Sequence, residues 1–178
     1  MASHGAEISW ERGTGETFTD RRYSRAHSWR FDGGALVPAS SSPHNVPVPF
    51  SRVEHVDPEE AFVAAISSCH MLTFLYVAAK SGYLVDRYHD AAVGETGHVE
   101  NGREGVTRVT LSPVVEFAGP RLPDDREVAR LHHEAHEDCY IANSVRTTIE
   151  VRGEWSVARS TQNAAPDRAT ASRNGRTS

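Results

Sequence analysis

The sequence predicts an α+β domain in which antiparallel sheets pack on one long buried helix. Three observations predict it: an almost wholly apolar run from Pro58 to about Ser81, short alternating segments on both sides of it, and an amphipathic stretch that opens at Asp124. At 178 residues the chain has the size of one domain with a core that needs no staples. The expected division is a folded domain over 1–157 and a disordered tail over 158–178, where the composition turns polar and loses any apolar period.

The elements follow in chain order. Ile8, Ser9 and Trp10 read as a strand, as do His27 to Phe31, which Asp32-Gly33-Gly34 closes with a turn signal. Ala39 to Ser51 carries Pro43, Pro47 and Pro49 among serines and is expected to be a loop. Asp57 then caps the long helix, Pro58 occupies its first turn and Gly82 ends it. Apolar residues all round this helix predict burial on every side. Asn101-Gly102 is the best hairpin dipeptide in the chain, followed by Val106, Val109 and Leu111 and then by Val114, Val115 and Phe117. The second helix starts at Asp124, whose spacing from Glu127 suits a capping box, and runs to about Cys139 with Val128, Leu131 and Ala135 on its stripe. Val145, Thr147, Ile149 and Val151 alternate with polar residues as a last strand.

Charge and composition narrow the function classes. The formal net charge is -5 and no basic stripe could follow a phosphate backbone, so nucleic acid is not an expected partner. Neither a leader pattern nor about 18 consecutive apolar residues occurs, so the expectation is a cytoplasmic protein without membrane contact. The two cysteines, Cys69 and Cys139, lie 70 positions apart, too sparse for a disulfide-stapled secreted domain and unlike a CxxC pair. They are either small buried residues or a redox couple carried on two separate helices. A thiol peroxidase needs one thiolate to attack peroxide and a second thiol to condense with the sulfenic acid. Burial in an apolar helix disfavours a thiolate, and Cys69 is three turns from the helix N-terminus, so an arginine must come from elsewhere.

Two segments carry a family resemblance. Asp57-Pro58-Glu59-Glu60-Ala61-Phe62-Val63-Ala64-Ala65-Ile66-Ser67-Ser68-Cys69 resembles the OsmC/Ohr pattern of Asn-Pro-Glu, an apolar run and a reactive cysteine. His133-Glu134-Ala135-His136-Glu137-Asp138-Cys139-Tyr140-Ile141-Ala142-Asn143-Ser144-Val145-Arg146 resembles the same family's second cysteine segment. The resemblance, covering roughly Trp10 to Val151, implies a thiol-dependent peroxidase acting on organic and, more weakly, hydrogen peroxides. It implies Cys69 as the attacking residue and Cys139 as the resolving one, joined as an intramolecular disulfide. It also implies a carboxylate at Glu59 and an arginine, best matched by Arg25 with Arg12, Arg21 and Arg22 as competitors, which together hold the thiolate. An intertwined homodimer, a dithiol reductant such as a lipoyl group, and no cofactor are further implications. The chain departs from the pattern at His70-Met71 after the first cysteine, at Tyr140 in place of a proline, and at Ala142-Asn143 in place of Ser-Asn.

Plainer readings stand beside these. Glu59 suits a first-turn acid favoured by the helix dipole, and Arg25 suits an ordinary strand-flanking charge. His70 projects about 100° round the helix from Cys69 and is not automatically its base. His132, His136 and Cys139 share a helix face, but no fourth ligand is evident, and His133-Glu134-Ala135-His136 is one residue short of the His-Glu-x-x-His spacing, so no metal is expected. The alternative function is a non-enzymatic binder of a small lipophilic molecule with two inert thiols.

Overall fold

A computed structural model describes residues 2–157; the expected tail over 158–178 lies outside the described residues. Strands β1 (Ala6–Ser9), β2 (His27–Phe31) and β3 (Leu36–Ala39) form an antiparallel sheet in that order. The turn between β2 and β3 follows the Asp-Gly-Gly signal, with Gly34 at a φ of 88° that a side chain would resist.

Helix α1 (Pro58–Lys80) starts as its sequence dictates. The Asp57 carboxylate accepts from the Glu60 amide, and the Glu60 side chain reaches back to the Asp57 amide, a complete capping box. Gly82, at φ 78°, follows its end. Beyond it come β4 (Leu84–Asp90), β5 (Val93–His98), β6 (Glu104–Leu111) and β7 (Pro113–Ala118), with the Asn101-Gly102 turn joining β5 to β6. Helix α2 (Asp125–Glu137), a short 3-10 turn (Ala142–Ser144), β8 (Thr148–Val151) and β9 (Glu154–Val157) complete the described chain.

The sheets are not all antiparallel. β7 pairs antiparallel with β4 and parallel with β9, while β6 pairs antiparallel with β5 and parallel with β8. The parallel pairs arise because α2 crosses over between β7 and the last two strands, which brings the chain back in the same direction. Asp90, at the end of β4, ties the two sheets together by accepting the Ser112 amide between β6 and β7 at 2.7 Å.

The main core lies between α1, α2 and the β4-β7-β9 sheet, built from Phe74, Val77, Val115, Phe117, Val128 and Leu131. Each large apolar side chain of this kind contributes about 1.5–3 kcal/mol by leaving water. A smaller cluster of Ile66, Val109 and Leu111 joins the first half of α1 to the β5-β6-β8 sheet. The expectation of burial all round α1 is corrected by the single chain. Ile66, His70, Phe74, Val77 and Ala78 form one buried face, whereas Leu72 and Tyr76 are 62% and 65% exposed. One amphipathic helix and the sheets on one side cannot enclose a cylinder, so an apolar strip of α1 remains uncovered. By length and composition alone α1 could also cross a membrane; its inner face is instead the wall of the core.

Candidate active site

Helices α1 and α2 run antiparallel where they touch. The contacts step along both: the Phe74 ring lies 4.4 Å from that of His132, His70 Nε2 is 3.1 Å from His132 Nδ1, and the Cys69 side chain meets Cys139. As the residue number falls on α1 it rises on α2. Cys139 sits just past the end of α2, which stops at Glu137 with Asp138 as its C-cap, two residues before the sequence expectation.

Cys139 is fixed by its own backbone. Its amide donates to the His136 carbonyl at 3.3 Å, its carbonyl accepts from the Asn143 amide at 3.0 Å, and the Ala142 amide donates to its sulfur at 3.4 Å. Asn143 Nδ2 closes the turn onto the Glu137 carbonyl at 2.7 Å. The thiol is 1% exposed, and burial first, then the neighbouring Cys69 thiol, push its pKa above the ordinary thiol value, partly offset by the Ala142 amide. Cys69 is half-buried, and both cysteines are free thiols. One enclosed thiol therefore stands against one half-buried thiol.

Arg25 and Glu59 stand apart from the thiols. The Arg25 guanidinium donates to the Arg21 carbonyl at 2.8 Å and to the Tyr23 carbonyl, and lies 3.8 Å over the Tyr23 ring. It lines a hollow of about 340 Å³ together with Trp10, Phe18 and Pro58, the first residue of α1. Glu59 Oε1 accepts from Asn45 Nδ2 at 3.4 Å, while its Oε2 is buried without a partner. The ten residues from Glu59 to Cys69 span about 15 Å along the helix axis, so within one chain the carboxylate does not reach the thiol. Thus the fold brings Cys69 and Cys139 together, and Arg25 close to the helix start that bears Glu59, but it does not unite the two pairs in a single chain.

A family model for OsmC-like proteins matches residues 52–154. The chain belongs to the OsmC-like family. No curated protein matches it. Among solved structures it is similar to an OsmC-like protein of unknown function from Vibrio cholerae, with 52% identity over 86% of this chain and 100% of that one and a TM-score of 0.84. It shares its fold with organic hydroperoxide resistance proteins from Elizabethkingia anophelis (19% identity, TM-score 0.60, covering 89% of this chain and 98% of that one) and Bacillus subtilis (19% identity, TM-score 0.55, covering 85% and 98%).

This OsmC-like protein also assembles groups that its sequence did not single out. A cavity of about 1100 Å³ runs along α1, lined by Glu59, Val63, Ser67, Met71, Tyr88 and Asp90 among others. Ser67 donates to Asp90, and the Tyr88 hydroxyl is buried without a partner, its pKa pushed up by burial and then by Asp90. A β-bulge shifts the register of β4 between Val85 and Arg87, and no periodicity in Leu84 to Asp90 announces it. His132, weighed in the sequence only as a metal ligand, is instead hydrogen-bonded to His70. Among the described residues, no group of three or more His, Cys, Asp and Glu side chains is arranged to hold a metal ion.

Proposed function

We propose that this OsmC-like protein is a thiol-dependent peroxidase that reduces organic hydroperoxides, with Cys69 as the attacking and Cys139 as the resolving cysteine. The observation that carries the reading is that the chain's only two cysteines are neighbours, Cys69 half-buried on α1 and Cys139 enclosed just past the end of α2. The Cys69 thiolate attacks one peroxide oxygen, the O–O bond breaks, and the alkoxide leaves with a proton as alcohol. Cys69 is then a sulfenic acid. The Cys139 thiol condenses with it, its proton and the sulfenic hydroxyl leave as water, and a disulfide forms. Burial first, then the Cys69 thiol, raise the Cys139 pKa, which favours its protonated form and suits a resolving rather than an attacking role. A dithiol such as a lipoyl group returns the pair to thiols by exchange, itself becoming a disulfide.

The active form in this reading is a homodimer. The uncovered strip at Leu72 and Tyr76 would bury against a second copy, and Glu59, with its unpartnered Oε2, and Arg25 of one chain would then serve Cys69 of the other. A bidentate carboxylate would fix the guanidinium plane as a donor to the thiolate. Stopped-flow oxidation with an alkyl hydroperoxide and with hydrogen peroxide, followed by mass spectrometry, tests the chemistry. The expected product is a chain lighter by two hydrogens with both cysteines in one bridge. Two slow thiols that ignore peroxide would instead favour a lipophilic-ligand binder using the cavity along α1.

A further inference from the structure

Beside the thiols lies a second pair that the proposed chemistry does not use. His70 and His132 are 1% and 8% exposed, their rings lie edge to edge, 6° from parallel with centroids 5.4 Å apart, and Nε2 of the first meets Nδ1 of the second at 3.1 Å. Phe74 packs on the His132 ring from the α1 side. From the other side the loop before β9 closes on it, since a Cβ on Gly153 would stand 2.8 Å from His132 Nε2 and 3.3 Å from Pro113 Cγ. The absence of a side chain at Gly153 is what lets the ring occupy this place.

We propose that His70 and His132 are a positioning pair that sets the register of α1 against α2 and so presents Cys69 to Cys139. The proposal rests on the reading that these two cysteines form a disulfide. Cys69 adjoins His70, one residue and about 1.5 Å along the axis, so whatever fixes the His70 ring fixes the height of the thiol. Cys139 follows His132 by two turns, at the point where α2 ends. A disulfide requires Cα atoms within about 4.4–6.8 Å, and a slip of one helical turn, about 5.4 Å, would break that geometry. Apolar contacts between the helices are non-directional and resist such a slip weakly. A hydrogen bond between ring nitrogens has one geometry, and it needs at least one imidazole uncharged to accept, because two imidazolium rings present donors only. That condition is met near neutral pH: burial foremost holds each imidazole down at about 4, with His136 on α2 adding to the depression of His70 and Asp90 on β4 opposing it.

The test separates register from mere packing by equilibrating the reduced full chain with glutathione and glutathione disulfide. The protein dithiol becomes its disulfide while glutathione disulfide becomes two glutathiones, and the position of equilibrium gives the effective concentration of one cysteine for the other. His132→Phe keeps a ring on Phe74 but removes the hydrogen bond; His132→Asn places an amide where Nδ1 stood. The expected result is a fall of at least about tenfold in effective concentration for His132→Phe with melting temperature held, and retention within about threefold for His132→Asn although it melts lower. A folded His132→Phe with the parent's effective concentration, or equal losses in both variants, overturns the proposal. Should His132→Phe fail to fold, His70→Leu and His70→Gln give the same contrast from α1, with the same outcomes decisive. No peroxide enters the measurement, so a chain inert toward hydroperoxide, which sinks the peroxidase reading, still reveals whether the pair sets the register.

Discussion

The two ends of α1 are built on different terms. Toward its C-terminal half the helix is covered by α2 and the β4-β7-β9 sheet, and at its midpoint, where that cover begins, Cys69 lies beside Cys139 inside one chain. At its N-terminal end Glu59 keeps a buried oxygen without a partner, and Arg25, close by, spends its donors on the carbonyls of Arg21 and Tyr23. The difference teaches that the single chain's packing sets Cys69 beside Cys139, whereas the same chain leaves Arg25 and Glu59 away from either thiol, so that in the proposed function a second copy would have to deliver them. If the proposed function holds, local folding serves the resolving step and association the attacking one.

The largest expected effect would break that contrast at the covered end. Cys69→Ser should abolish hydroperoxide consumption, while Cys139→Ser should complete one turnover and leave Cys69 as sulfenic or over-oxidised acid, read by mass spectrometry. Equal loss at the first turnover in both would remove the division of roles. Next comes stability across the two faces of the helix. Phe74→Ala should cost about 3–5 kcal/mol in urea unfolding because it empties the main core, whereas Tyr76→Ala, on the uncovered face, should leave the chain folded and lower the sedimentation size at micromolar concentration. A Tyr76→Ala protein that stays dimeric would remove this strip from the interface.

Acid should act on the covered half through the buried imidazoles. His70 and His132 are lowered from 6.5 to about 4 in the folded chain, so the unfolded chain takes up their protons first as pH falls. Stability is therefore complete above about pH 6.5, declines between 6.5 and 4, and levels below that. The loss should approach about 3 kcal/mol per imidazole. Denaturant unfolding across this range checks it, and His132→Asn should flatten part of the slope. The smallest effect belongs to the other end: Arg25→Ala should slow peroxide oxidation at neutral pH about tenfold, roughly 1.4 kcal/mol, with the fold intact. An unchanged rate would shift the role to Arg12, Arg21 or Arg22.

Particular elements show how far local reading carries. Asp57 and Pro58 marked the start of α1 because a cap and a first-turn proline act through neighbouring amides alone. The capping box expected at Asp124 is only half formed: Asp124 accepts from the Glu127 amide, but the Glu127 carboxylate is drawn away to Arg130 and to the Tyr83 hydroxyl, partners that no local rule weighs. β3 escaped notice because Pro38 argues against a strand, and it is tolerated there because β3 is an edge. β4 escaped because its bulge breaks the period of two.

By itself the sequence determined the α+β class, the long apolar helix, the Asn-Gly hairpin and the two cysteine segments with their family resemblance, since each depends on residues near one another in the chain. Only the tertiary structure decided which face of α1 is covered, that β8 and β9 join their sheets in parallel, that Arg25 and Glu59 do not meet Cys69 within one chain, and that His70 is bound to His132. Those outcomes join residues up to 62 positions apart, and they follow from how helices and sheets exclude water together, which no single segment encodes.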